Sequence, residues 1–179
     1  MYPVIDDLKH RARLLHKLAA RSHAQAISEL RVLEEFSSAT PEDIVRAATR
    51  RHCLSAIAVQ LGFDGWPHAL NVLKGARLVN FGTLLVPPKS SPFWNVWSAN
   101  YEEAARIREE HGGYLLAYLK QFLVADADFI RHLGLDPEDS DWQAINRDWP
   151  NAADGESRAR LYANLIKQRL PRLEAPANT

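Results

Sequence analysis

Apolar residues step through the first 75 positions at intervals of three and four. Ile5, Leu8, Ala12, Leu15 and Ala19 form one row, and Ile27, Leu30 and Leu33 continue it. That period puts one apolar stripe along an α-helix and charge on the opposite side. A strand cannot use it, because strand side chains alternate between faces. The first half of the chain is therefore constrained to helices that each bury one face. Ser22 offers an N-cap, so this row reads as a helical hairpin over about 4–20 and 22–35. Residues 37–40 form a loop. Thr40-Pro41-Glu42-Asp43 then signals a helix start, with a capping hydroxyl, a first-turn proline and acids at the positive end of the dipole. Ile44, Ala47, Ala48, Leu54, Ile57, Ala58 and Leu61 carry this helix onward to the sequence LGFDGWPHAL.

Those ten residues read as a corner between two helices. Gly62 is placed to end the first helix in the left-handed conformation, which glycine adopts cheaply, and Phe63 folds back onto it. Asp64 or Gly65 caps the next helix, Pro67 lies in its first turn, Leu70 and Leu73 face the core, and Gly75 ends it. Phe63 and Trp66 clamp the corner from inside in this reading, leaving His68 and the outward side of its helix without a packing role.

The pattern then changes. VNFGTLLVPPKSSPF reads as a strand leading into a proline-rich loop. Asn100-Tyr101-Glu102-Glu103 resembles a capping box and starts a helix that stops at Gly112-Gly113. Residues 113–125 suit either a helix or two short strands, and the strand reading is preferred, with Asp126 capping a helix from Ala127 to Leu133. A short helix near 140–147 and a last helix over about 155–169 follow, the latter with Leu161, Leu165 and Ile166 on one face. The expected fold is α+β and mainly α. A helical subdomain over 1–76, of four to five helices, packs on an α+β subdomain over 77–170 with a small antiparallel sheet, and 171–179 form a flexible tail.

Charge and cysteine content narrow the function classes. The 22 basic and 22 acidic residues cancel, so no global field draws the chain to nucleic acid or anionic membrane. Residues 1–80 carry eleven Lys and Arg against eight Asp and Glu, leaving eleven against fourteen for the rest. The single cysteine, Cys53, excludes an internal disulfide and a multi-cysteine zinc site. The N-terminus lacks the basic-then-apolar order of a signal peptide, and no apolar run approaches the roughly 20 residues of a membrane helix. A cytoplasmic protein without a membrane segment is expected.

Candidate chemistry is sparse. His52 and Cys53 are adjacent, so on a helix they point about 100° apart and do not readily share a metal. Cys53 lies on or beside an apolar face, where a thiol serves as a small hydrophobe. The seven histidines show no His-x-x-x-His spacing. Asp126, Asp128, Asp136, Glu138, Asp139 and Asp141 lack the glycine and terminal glutamate of a calcium loop and suit caps and turns instead. No metal site and no cofactor is assigned. Phe93, Trp94, Trp97 and Tyr101 fall within nine residues, with His111, Tyr114 and Tyr118 further along. They could line a pocket, making His68, Trp94, Trp97, Tyr101, His111 and Tyr114 ligand or partner candidates. They could equally fill the contact between the two halves, and packing is favoured because no convergent charge or nucleophile accompanies them.

Two resemblances bear on function. Ile57-Ala58, Leu61-Gly62-Phe63-Asp64, His68 and Lys74 have the spacing of a helix-turn-helix corner and look like the motif of AraC-class regulators. Trp66-Pro67 at the start of the would-be recognition helix and an arginine-poor outward face depart from that motif, so nucleic acid is not the expected partner. Arg50-Arg51-His52-Cys53-Leu54, Ile57-Ala58, Leu61-Gly62-Phe63 and Trp66-Pro67 are more similar to the helical segment that precedes ankyrin repeats in many bacterial proteins. No repeat of that period follows in residues 76–179. Through NFGTLLVP, YEEAARIREEHGGYLLAY and LGLDPEDSDW the second half resembles an uncharacterised family of stand-alone bacterial proteins. The resemblance implies a cytoplasmic bacterial origin and no assigned activity. Taken with an aromatic-rich junction that lacks reactive groups, it leads to the expectation of a non-enzymatic module that binds another protein or itself as a homodimer. It brings no catalytic residues.

Overall fold

A computed structural model of the chain describes residues 3–76, 80–86 and 95–173. Helix α1 (Pro3–Ala19) buries Val4, Ile5, Leu8, Ala12, Leu15, Leu18 and Ala19, the stripe its spacing predicts. Ser22 does not cap the next helix. It takes a positive φ of 56° and closes α1, where the N–H groups of Ser22 and His23 donate to the carbonyls of Ala19 and Leu18 at 2.9 and 3.1 Å. Helix α2 is accordingly the short Ala24–Leu30, and a 3-10 turn, Glu34–Phe36, follows it.

The helix expected to run from Pro41 to Leu61 is two helices, α3 (Pro41–Ala47) and α4 (Arg50–Gln60). Ala48 is extended, and Thr49 starts α4 with a capping box. The Thr49 hydroxyl accepts the His52 N–H at 3.4 Å, and the Thr49 N–H donates to His52 Nδ1 at 3.2 Å. Histidine here takes the place usually held by Glu or Gln, which hides the signal in the sequence. The break lets α4 turn to pack along α1, burying Cys53, Ala56, Ile57 and Ala58.

The corner forms as its punctuation predicts. Gly62 has φ 84°, and the N–H groups of Gly62 and Phe63 donate to Val59 and Ala58 carbonyls at 2.9 and 3.0 Å, a Schellman-type ending. Phe63 is buried, Trp66 is half-buried against the core, and Pro67 is exposed in the first turn of α5 (Trp66–Lys74). No strand occurs among the described residues 80–86. This segment folds over the corner instead, with Leu84 and Leu85 buried and the Thr83 N–H donating to the Gly62 carbonyl at 2.9 Å.

Strand β1 (Asn95–Ser98), helix α6 (Tyr101–His111), and strands β2 (Tyr114–Tyr118) and β3 (Gln121–Ala125) make a three-stranded antiparallel sheet of order β1-β3-β2. The preferred strand reading of 113–125 is the one the chain adopts. Leu123 pairs with Trp97 on one side and Leu116 on the other. Tyr114, Leu116, Leu123 and Ala125 join the main core, whereas Leu115 and Val124 pack with Ala104 of α6 on the opposite face. Both faces of the strands are thus covered, which is why they read as a continuous apolar run without alternation. Helices α7 (Ala127–His132), α8 (Ser140–Ala144) and α9 (Gly155–Arg169) complete the fold, with Asp126, Asp139 and Asp154 as N-caps.

An edge-to-face series of rings ties the sheet to α9. Tyr114 meets Trp142 at 4.9 Å, Trp142 meets Trp149 at 5.2 Å, and Trp149 meets Tyr162 at 4.9 Å. Such pairs each add about 0.5–1.5 kcal/mol beyond the area they bury. On the rim, Arg160 of α9 binds both carboxylate oxygens of Asp141 of α8, and these bonds hold the Asp141 carboxyl below its ordinary range.

One buried cluster runs from Val4 through Ile57 and Leu116 to Ile166, so the core is continuous across residue 76. Helix α9 packs on both α1 and α5. The start of the expected tail is docked: Arg11 donates to the Pro171 carbonyl at 2.6 Å and Gln25 to that of Arg172 at 2.9 Å. Residues 174–179 lie outside the described residues.

A Cβ added at Gly62 would lie 2.1 Å from Thr83 Oγ1 and 3.2 Å from the Leu84 nitrogen. Gly112 has a similar φ of 78° with no atom within 4 Å of such a Cβ. In urea unfolding, Gly112→Ala should cost about 2–3 kcal/mol for its backbone conformation alone, because its ψ of −166° puts it in a region almost confined to glycine. Gly62→Ala, which adds a collision with Thr83 to a positive φ, should cost at least as much, about 3 kcal/mol.

Candidate functional site

The C-terminal end of α5, the first turn of α6, strand β3 and the start of α9 leave an open groove of about 480 Å³. Its wall is aromatic: Phe81 and Tyr101 each meet Phe122 edge to face, at 5.9 and 5.6 Å. Gly75 and Ala76 form one lip, Glu102 and residues 150–152 the other, and Arg158 of α9 reaches across. Arg158 lies so close over Gly75 that a Cβ there would collide with its guanidinium. Glycine at 75 therefore both ends α5 and admits the arginine. Beneath Arg158 and Phe81 a void of about 10 Å³ extends to Trp149 and Tyr162, room for about one water molecule.

Tyr101 is held in place by chemistry as well as packing. Its hydroxyl donates to Asp148 Oδ2 at 2.6 Å, and Asp148 Oδ1 accepts the Asn151 N–H at 3.0 Å. Asp148 is buried. Desolvation first, then the hydrogen bond to the Asp148 carboxylate, pushes the Tyr101 phenol up to about 12. Arg158 has a long contact to the Trp149 carbonyl at 3.5 Å, and no carboxylate of the described residues forms an ion pair with it. The groove thus offers stacking surface, one guanidinium and the Glu102 carboxylate.

The sequence-stated candidates do not converge. Of His68, Trp97, Tyr101, His111 and Tyr114, Tyr101 alone lines the groove. His68 is part of the corner: the Asp64 N–H donates to its Nδ1 at 3.0 Å, its Nε2 lies 2.9 Å from the Asn80 carbonyl, and its ring meets Phe63. The histidine that lacked a packing role has a structural one. Trp97 is 42% exposed on β1, stacked edge to face on Tyr118 at 5.7 Å, with its Nε1 donating to Asn95. His111 is exposed at the end of α6, beside Glu110. Tyr114 is buried and donates to the Pro137 carbonyl at 2.9 Å. Trp94 and Phe93 lie outside the described residues. Phe81, Phe122 and Arg158 had no signal in the sequence beyond ordinary aromatic and charged positions.

Cys53 is buried, and desolvation raises its thiol to about 11. Among the described residues, no group of three or more His, Cys, Asp or Glu is placed to hold a metal ion. No helix of the described residues is long and apolar enough to cross a membrane.

Comparison with protein-family models, with curated proteins and with solved structures gave no match.

Two measurements check this geometry. Because the Tyr101 pKa is raised in the folded state, the native protein holds more protons than the unfolded chain between about pH 10 and 12. The stability from this group is complete below pH 10 and is lost as pH rises through 12. Tyr101→Phe should remove that part of the alkaline loss, and should cost about 1–2 kcal/mol at pH 7 by leaving Asp148 short of a donor. Separately, iodoacetamide at pH 8 should label Cys53 only as fast as the protein unfolds.

Proposed function

We propose that this protein is a non-enzymatic binding module, bacterial and cytoplasmic, whose working surface is the Tyr101–Arg158 groove. The observation that carries the reading is the pairing of a three-ring aromatic wall with a guanidinium that has no carboxylate partner among the described residues. Aromatic and arginine side chains are the types that dominate contact energies at protein interfaces. A partner segment with one apolar side chain for the wall and one acidic group for Arg158 fits this chemistry. The partner is another protein or a second copy of the chain. The resemblance to a module that accompanies protein-binding repeats supports the same reading.

The competing readings draw less support. A recognition helix presents its N-terminal turn to the major groove. In α5 that turn is covered by Asn80 and bound through His68, and Asn71 and Lys74 are the exposed polar residues beyond it. An enzymatic reading needs a nucleophile or acid–base pair in the groove. The groove's titratable groups are Tyr101, Glu102 and Arg158, and the thiol is buried elsewhere.

A photo-crosslinking residue placed at Glu102, on the exposed lip, tests the proposal in cells. It should trap one discrete partner or a second copy, and Arg158→Glu should abolish the adduct by reversing the groove's charge. The same probe at Lys120, on the exposed hairpin turn, should give no such adduct. Identical products from both positions, or an adduct indifferent to Arg158→Glu, would refute it.

A further inference from the structure

At the other end of α6 lies a second cleft, also about 480 Å³, whose walls are almost wholly polar: Arg108, Glu109, Gln143, Asn146 and Arg147, with Gly112 and Gly113. It shares no residue with the groove. Three observations give it a chemistry.

The first is Arg108. Its residue is 9% exposed, yet its guanidinium is incompletely used. One Nη1 N–H donates to the Asn146 carbonyl, whereas Nε is buried with no hydrogen-bond partner. Its nearest ion-pair partner, Glu109, is 3.6 Å from Nη2 and 70% exposed. That distance is beyond a good hydrogen bond. A guanidinium has five N–H donors. Nε is sealed inside, so Nη2, which has no hydrogen bond among the described residues, is the part of this largely buried charge left to face an acceptor in the cleft.

The second is the backbone opposite. Asn146 and Arg147 both adopt positive φ, 54° and 50°, and neither is glycine. Asparagine adopts this conformation readily, but Arg147 costs on the order of 1 kcal/mol there, so its conformation persists because its surroundings hold it. The Arg147 N–H donates to the Trp142 carbonyl at 2.7 Å, and its carbonyl accepts the Leu115 N–H at 2.8 Å. The strained turn delivers the Arg147 side chain to the cleft, its guanidinium 5.1 Å above the Tyr114 ring.

The third is the balance of the walls. Two guanidinium groups face one exposed carboxylate, and Gln143 and Asn146 add neutral amides that donate and accept. Paired arginines match an oxyanion through forked, charge-assisted hydrogen bonds. Amides and a carboxylate beside them suit hydroxyl groups. We propose that this cleft binds a small phosphorylated polyol, such as a sugar phosphate. Arg108 and Arg147 take the phosphoryl group, and Gln143, Asn146 and Glu109 take the hydroxyls.

Calorimetric titration of the full chain with glucose 6-phosphate, inorganic phosphate and glucose tests this. The sugar phosphate should bind saturably and more tightly than inorganic phosphate, and glucose should not bind measurably. Arg147→Gln should weaken binding about tenfold, the equivalent of one charge-assisted hydrogen bond. Because Arg147 also packs on Tyr114, Gln143→Glu provides a second variant on an exposed position of α8. It should weaken binding at least as much through charge repulsion, with an unchanged melting temperature. Saturable binding that both variants leave unaltered, equal affinity for phosphate and sugar phosphate, or no saturable binding of either would overturn the proposal.

Discussion

Three segments far apart in sequence meet through backbone hydrogen bonds at one place, and the arrangement of the fold depends on it. The Gly62 carbonyl accepts from Thr83, the Phe81 N–H donates to Leu119, and the Leu119 N–H donates to Gly82 at 2.8 Å. Leu119 turns the hairpin between β2 and β3 with φ 51°, a position where two-residue hairpins prefer glycine or asparagine. The paired bonds from the 80–86 segment hold it there. Without them the turn would carry an uncompensated strained residue, and the sheet would lose its attachment to the helical corner. Gly62 is small enough to let this segment close over it, which makes one glycine a joint between the helical corner and the hairpin.

Much of this architecture is legible in the residues. Thr40, Asn100, Asp126 and Asp154 each stand where a side-chain oxygen accepts the first free N–H groups of a helix, and each does so. The rows of Leu and Ile in α1 and α9 give their buried faces directly. What the sequence conceals has physical reasons. Thr49 and His52 form a capping box without Glu or Gln, so the break between α3 and α4 carries no familiar signature. The hairpin turn at Leu119-Lys120 lacks glycine because tertiary bonds do what local preference does elsewhere. Phe81, Leu84 and Leu85 look like part of a strand because they are apolar, yet Leu84 and Leu85 are apolar in order to cover a corner.

The candidate sites were harder to foresee, because they are assembled across long separations. Tyr101 was visible as an aromatic at a helix start, but the groove it lines needs Phe81, Phe122 and an arginine from the last helix. Helix α6 is the common element. Tyr101 in its first turn binds Asp148, and Arg108 near its end binds the Asn146 carbonyl. The same short loop, residues 146–151, is therefore pinned at two points to a helix about two turns long between them. One pin borders the aromatic groove and the other the polar cleft. An occupant of either would bear on the same helix and the same loop.

The ring series from Tyr114 to Tyr162 has a consequence of a different kind. Four aromatic side chains are fixed at steep mutual angles inside the molecule, between 62° and 81°. Rings locked in an asymmetric array couple their transitions and generate strong ellipticity in the near ultraviolet, and a merely collapsed chain loses that signal while keeping its helices. Tyr114 belongs to β2, Trp142 to α8, Trp149 to the loop that follows and Tyr162 to α9. The protein therefore carries an internal optical gauge of whether its last helix is seated.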